Sequence, residues 1–262
     1  SPFDASSKVY VCKDNKYRCK NTGKYFNVRT NTLFDSSKIE LQKWFLAIYI
    51  VTSHKKGISS MQLAKDIDVL QRIRACFGLD DLKPDMTDDT QLDETFVGGK
   101  NKNRHHDKKV EYSQGRSYKD KTPVMGMLSN GFVRAYAVPT TSSRDIKPLV
   151  KKHVPKNTTI ISDEWHAYRG LDKYYKHEIV DHAKKQYVND CGFTTNSIEG
   201  FWSILKRGII GIYHFTSRKH LQKYVDEFVF RYNTRLSTLS NRFNLLLANT
   251  EYRLKYKILI AK

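Results

Sequence analysis

The stretch Gln91-Leu-Asp-Glu-Thr-Phe-Val97 reads as a strand that ends at Gly98-Gly99. Downstream, Val124 to Leu128 and Phe132 to Val138 flank Ser129-Asn130-Gly131. Asn and Gly tolerate positive φ, so this is a hairpin turn between two further strands. Ser142 and Ser143 then cap a helix containing Ile146, Leu149 and Val150. Thr158 to Ser162 is a β-branched strand ending at Asp163, and a short helical stretch follows to Leu171. His177 to Asp181 gives a fifth strand, and a long helix runs from near Asn196 towards Arg207. The order β-β-β-α-β-α-β-α predicts an α/β (α+β) domain, a mixed five-stranded sheet with flanking helices.

Three acids stand at telling places in that order. Asp93 lies within the first strand, Asp163 ends the fourth, and Glu199 sits on the helix after the fifth. If the first and fourth strands are neighbours, the two Asp carboxylates meet at one sheet edge and the helix brings Glu199 beside them. Three hard oxygen ligands suit Mg²⁺ or Mn²⁺, and two such ions support in-line phosphoryl transfer. The plainer reading leaves each acid as a solvated surface carboxylate. Glu94 and Glu164 neighbour the two Asp residues, and strand alternation turns them to the opposite face.

Upstream, residues 1–35 are polar, with short alternating stretches around Tyr17 and Tyr25. Ser36-Ser-Lys-Ile-Glu40 reads as a helix start, followed by Leu41, Trp44, Phe45 and Ile48 at helical spacing. Further helices are expected from Ser59 or Ser60 to Asp66 and from Leu70 to Phe77. Residues 36–78 match a helix-turn-helix DNA-binding region and a plain helical bundle equally well. An acidic linker, 79–90, separates them from residues 91–235, and 236–262 form a basic tail.

The chain has 262 residues with 46 Lys plus Arg against 27 Asp plus Glu, a net charge of +19. Such an excess favours a polyanionic partner through counterion release. Hydrophobic residues make up 39% of the chain, enough for a sizeable core. The longest apolar run, Trp44 to Val51, has 8 residues, against about 20 for a bilayer span. Four unevenly spaced Cys do not make a disulfide framework and point to a reducing, cytoplasmic setting. No signal-peptide pattern opens the chain, and the missing initiator Met points to a trimmed or partial N-terminus. From Phe201 onward there are 12 basic and 3 acidic residues, interleaved with aromatics. Leu221, Tyr224, Val225, Phe228 and Val229 are assigned to packing, and the basic residues, including Arg218 and Lys219, to phosphate contact.

Asp93-Glu-Thr-Phe-Val-Gly-Gly-Lys100, Ser162-Asp-Glu-Trp-His-Ala-Tyr168 and Asn196-Ser-Ile-Glu-Gly-Phe-Trp-Ser-Ile-Leu-Lys-Arg-Gly208 resemble the DDE transposases of bacterial insertion sequences, in the group related to Merlin elements. The run from Tyr213 to Asn233 is similar to that group's C-terminal signature. The resemblance implies an RNase H-like catalytic domain, two Mg²⁺ (or Mn²⁺) ions, and cutting and rejoining of double-stranded DNA by a homodimer or larger assembly. Carried over by position, the triad is Asp93, Asp163 and Glu199, with 35 residues between the last two. Some members use Asn as third residue, which brings in Asn196, and a nearby His, which brings in His182. Lys206, two helical turns after Glu199, resembles the residue that holds terminal DNA phosphates. Arg207 would assist it, and Lys100 opens a basic loop that would contact DNA. Trp202 is expected in the core, and His166 in a structural hydrogen bond.

Two features depart from the family pattern. Its members begin with a zinc ribbon of two Cys-x-x-Cys knuckles, whereas Cys19 is followed by Thr22 and Cys12 has no partner two residues on. The N-terminus therefore reads as a degenerate zinc ribbon, and a structural Zn²⁺ is not expected. The helix-turn-helix is also shortened near Leu70. Rival readings are a metal-dependent nuclease or resolvase of the same fold, and a non-catalytic DNA-binding descendant of a transposase.

Overall fold

A computed structural model of the chain describes residues 1–54, 57–58, 67–78, 85–99, 105–111, 117, 120–180, 188 and 192–251. It divides into two compact units, one of residues 1–55, 60–77 and 237–262, the other of residues 56–59 and 78–236.

The first unit opens with a small antiparallel sheet of β1 (Val9–Val11), β2 (Tyr17–Cys19) and β3 (Tyr25–Phe26). The two alternating stretches are thus β2 and β3. Tyr17 and Phe26 stack across them with ring centroids 5.5 Å apart. Cys19 is fully buried, its thiol bonded to the Ser7 hydroxyl at 3.2 Å.

Helix α1 spans Leu41–Ser53 and buries Trp44, Ile48 and Val51, the stripe expected from the sequence. It begins later than expected. Ser36 has φ 58° and lies outside the helix, and Glu40 takes the N-cap position without a side-chain cap bond. The expected second helix, residues 59–66, lies outside the described residues. The third is α2 (Ile67–Ala75), prolonged by a 3-10 turn at Cys76–Gly78. Arg72 ties α2 to the loop before α1 by donating to the Leu33 and Asp35 carbonyls. Residues Leu239–Ala248 form a helix, α6, that packs on α1. Its cap is the Thr238 hydroxyl, which accepts from Asn241 N–H at 3.2 Å. The composition of that stretch gave no sign of this helix.

The second unit is the expected mixed sheet, in the order β6-β5-β4-β7-β8. Strands β4 (Thr90–Val97), β5 (Thr122–Ser129) and β6 (Phe132–Ala137) form an antiparallel meander. Its hairpin turn has φ 46° at Asn130 and 75° at Gly131, the pair of positive values that matches strand twist. Strand β7 (Thr159–Ser162) joins β4 in parallel, and β8 (Lys176–Ile179) joins β7 in parallel. The short helical stretch after β7 is a 3-10 turn, His166–Tyr168.

Alternation along the strands supplies two cores. Val97, Val124, Leu128, Val133 and Ala135 face one side. There they meet Ile198, Phe201, Trp202 and Leu205 of α4 (Asn196–Gly208) and Leu221, Val225, Phe228 and Val229 of α5 (Leu221–Asn233). Leu92, Met125 and Met127 face the other side, against Ile146 and Val150 of α3 (Ser143–His153) and against Tyr168 and Leu171. Each fully buried aliphatic or aromatic side chain contributes about 1.5–3 kcal/mol, so both faces hold the sheet. Ser142 is the N-cap residue of α3, as expected, but makes no side-chain cap bond; Asp145 instead accepts from Thr140 N–H at 3.0 Å. This mixed sheet between helical layers is an RNase H-like fold.

Candidate active site

The geometry of the site starts from strand register. β4 and β7 run parallel, with Gln91 paired to Ile161. Two residues further along each strand direction stand Asp93 and Asp163, which places the two acids level just past the end of the short β4–β7 pairing. Asp93 shares its strand face with Thr95 and Val97, the face covered by α4. Leu92 and Glu94 point the other way.

Helix α4 is fixed onto β4 at two points. At its start, the Gln91 side chain accepts from Ile198 N–H at 3.1 Å, satisfying one of the donors every helix N-terminus leaves open. One turn on, the Trp202 indole N–H donates to Asp93 Oδ2 at 2.9 Å. Trp202 can reach so far because Gly126, cross-strand from Asp93, has no side chain. A Cβ there would meet the indole at 2.5 and 2.6 Å. Trp202 is in the core, as expected, and it is also a partner of Asp93.

Asp93, Asp163, Glu199 and Lys206 line one open cleft of about 560 Å³, together with Glu94, Glu164, Trp165 and Thr195 among others. Lys206 lies two turns from Glu199 on the same helix face, so both project into the cleft. Asn196 is exposed at the first residue of α4 and is not among the lining residues. Arg207 is exposed near the end of α4, and Arg218 and Lys219 are exposed on a 3-10 turn, Arg218–His220. Lys100 and His182 lie outside the described residues.

Hydrogen bonds orient the acids. Asp93 Oδ1 accepts from Glu94 N–H at 2.8 Å, and Asp163 Oδ1 from Trp165 N–H at 3.0 Å. Trp165 is itself held by its indole N–H on the Thr141 carbonyl at 3.0 Å. Thr195 Oγ1 is 3.4 Å from Glu199 Oε1. Burial pushes the Asp93 carboxyl up to about 6, and the charges of Asp163 and Glu199 push the same way, against hydrogen bonds from Glu94 N–H and Trp202. Both acids therefore act electrostatically on Asp93.

Behind the acids lies a second polar layer. The Tyr168 hydroxyl donates to Glu94 at 2.5 Å, and its own ionisation is pushed far up, by burial first and then by the Glu94 charge. Ser162 donates to the Asp163 carbonyl at 2.8 Å. Its hydroxyl has one proton, so the 2.9 Å contact with His177 Nε2 is donated by the imidazole. Burial lowers the His177 pKa. Glu94 follows the expected alternation in bonding Tyr168, yet it too contributes to the cleft lining, and Glu164, just past the strand end, lines the cleft rather than turning away. His166 is exposed against Trp165, with ring centroids 4.2 Å apart, rather than in the expected structural hydrogen bond.

The donor set fits a hard divalent cation in kind: five carboxylates, Asp93, Asp163 and Glu199 among them, line one cleft, and their mutual repulsion is what a cation would relieve. Among the described residues no three His, Cys, Asp or Glu side chains are drawn up around one ion position, so binding would need side-chain rotation. Sequence reading missed the Gln91 cap, the Trp202–Asp93 bond and both polar pairs behind the acids. Gly126 alone carried a signal, since an isolated Gly within a strand marks close approach by another group.

Among the described residues no helix is long and apolar enough to cross a membrane. The chain is 27% identical over 232 residues to an uncharacterized protein in transposable element ISH50 of Halobacterium salinarum, spanning 82% of this chain and 78% of that one. Residues 86–233, more than half of the chain and the whole of the mixed sheet with α3, α4 and α5, match the ISXO2-like transposase domain. A sheet that sets Asp93 level with Asp163, under a helix bearing Glu199 and Lys206, is thus the domain of a known group: the chain belongs to the ISXO2-like transposases.

Proposed function

We propose that this transposase cleaves phosphodiesters at the ends of its element and joins the freed 3′-hydroxyl to target DNA. The observation supporting this reading is the cleft itself, where Asp93, Asp163 and Glu199 share one space with Lys206. The three carboxylates would hold the divalent ions, Mg²⁺ or Mn²⁺. When bound, such ions activate the attacking oxygen and stabilise the leaving one.

The protein's own residues supply position and charge. Trp202 and Glu94 N–H hold both oxygens of Asp93, and Trp165 N–H holds Asp163. Lys206 neutralises a phosphate brought to the cleft, and Arg207, Arg218 and Lys219 add charge along the double-stranded DNA. Water is the nucleophile in the first step and the 3′-hydroxyl in the second, so no covalent protein–DNA intermediate forms. Joining two ends takes two active sites, which calls for a homodimer or larger assembly on DNA.

The test is a Mg²⁺-dependent cleavage-and-joining assay on DNA carrying the sequences that flank the element, with Asp163→Asn alongside. Joined products that disappear in the variant support the reading. Nicks without joining would make it a nuclease, and salt-sensitive binding without cleavage would make it a non-catalytic DNA binder.

A further inference from the structure

Helix α4 does not end at Gly208 but runs on as a π-helical turn, Ile209–Tyr213. Such turns concentrate at functional sites. Tyr213 is firmly anchored. Its hydroxyl donates to the buried Glu227 at 2.8 Å, and its ring packs against Tyr224 and Phe228 with centroids 4.8 and 6.2 Å away.

At the next residue the backbone reverses. His214 has φ 58° and ψ −42°, and Phe215 N–H bonds back to the Tyr213 carbonyl at 2.6 Å. This is a γ-turn of the rare positive-φ kind, at a non-glycine residue, and such strain persists only where its surroundings enforce it. The His214 ring braces the turn by donating from Nδ1 to the Ile210 carbonyl at 3.1 Å. The result is an outward-thrown aromatic: Phe215 is 72% exposed, and Ile210, on the π-helical turn before it, is 66% exposed.

Along the chain on either side of it the charge has one sign. From Gly200 to Val225 the chain has Lys206, Arg207, Arg218, Lys219 and Lys223 and no acidic residue. At Gly211 a Cβ would meet nothing within 4 Å, so the backbone is open to close approach there.

We infer that this tip is a DNA contact in which Phe215 stacks on an unpaired base while Lys206, Arg207, Arg218 and Lys219 hold the adjoining phosphates. The inference rests on the DNA reading above and deepens it. A phenyl ring has no hydrogen-bonding group, so it recognises an open base face rather than a sequence. Intact duplex covers those faces, whereas a cleaved or frayed end exposes them. A second copy of this tip would set like charges against like, so phosphates rather than another tip suit it as occupant.

The test compares binding of the full chain, in EDTA, to a blunt duplex and to the same duplex with a short 3′ overhang carrying 2-aminopurine as its first unpaired base. Wild type should bind the overhang more tightly and quench its fluorescence. Phe215→Ala should lose about tenfold in overhang affinity and lose the quenching, with blunt-duplex affinity and melting temperature unchanged; Phe215→Trp should restore both. Lys219→Ala should weaken both DNAs and lower the salt slope by about one. Unchanged overhang binding and quenching in Phe215→Ala would overturn the stacking contact alone. A changed oligomeric state with unchanged DNA binding would overturn it in favour of a protein interface. Wild type binding neither DNA at low salt would overturn the DNA reading and this inference with it.

Discussion

The indole N–H of Trp202 donates to Asp93 Oδ2 at 2.9 Å, joining helix α4 to the first acid of the cleft through one side chain. Glu199 lies one helical turn before Trp202, so the contact that orients Asp93 also fixes the register of Glu199 against it.

Trp202→Phe keeps most of the packing and removes the donor. Asp93 then loses a hydrogen bond that favours its charged form, and its pKa rises further above the usual carboxylate range. Mg²⁺ titration of strand cleavage should show a requirement raised by about tenfold or more, typical when a partner of a metal-holding group is lost. An unchanged titration would show that Trp202 serves packing alone.

Gly126→Ala should be destabilising. Its Cβ would lie 2.5 Å from the Trp202 ring and 3.0 Å from Ile198 Cδ1, so the α4 side chains packed on the sheet would have to shift. Overpacking of this kind costs about 1–3 kcal/mol. In urea unfolding, Gly126→Ala combined with Trp202→Leu should lose less than the sum of the two single variants. Strict additivity would mean that the ring and the glycine do not constrain each other.

The raised pKa of Asp93 predicts a pH signature for the metal-free protein. The folded-state value is about 6, above the ordinary 3.8. Folding therefore favours the protonated acid, and this contribution is complete below about pH 4 and lost as pH rises through about 6. Asp93→Asn should match wild type in urea midpoint at low pH and exceed it at pH 8 in EDTA, by at most about 3 kcal/mol. Added Mg²⁺ at pH 8 should raise the wild-type midpoint and leave the variant's in place. A gap that does not change with pH would contradict the proposed burden on Asp93.

On α5, Arg231 donates to the fully buried Glu227 at 2.7 Å, and Tyr213 donates to the same oxygen. Arg231→Met should cost about 3–5 kcal/mol, because it leaves a buried carboxylate without its counter-charge. Glu227→Gln with Arg231→Met should recover part of that loss. Thermal melts of the two variants decide it, and equal losses would mean the pair contributes no charge coupling.

The fold was legible in the sequence wherever a period met a turn signal. β4 was readable from its end at Gly98-Gly99, the β5–β6 hairpin from Asn130-Gly131, and α4 from its apolar spacing. Asp93, Asp163 and Glu199 could be picked out from their places in the strand and helix order, and the structure brings all three to one cleft together with Lys206. Helix α6 went unread because its burial depends on α1, some 190 residues earlier in the chain. The Gln91 cap and the Trp202–Asp93 bond went unread for the same reason: each joins residues more than 100 positions apart, and no local pattern encodes such a pairing.

The two tethers of α4 to β4 have a further consequence for how the family can vary. Gln91 holds the helix start and Asp93 holds its next turn. The position of Glu199 relative to Asp93 is therefore set by contacts with β4, independently of the chain that leads from β8 into the helix. That connection can lengthen or shorten by several residues without moving the third acid. The number of residues between Asp163 and Glu199 then becomes a record of insertions and deletions, while the pairings of Gln91 with residue 198 and of Asp93 with Trp202 are what geometry demands be kept.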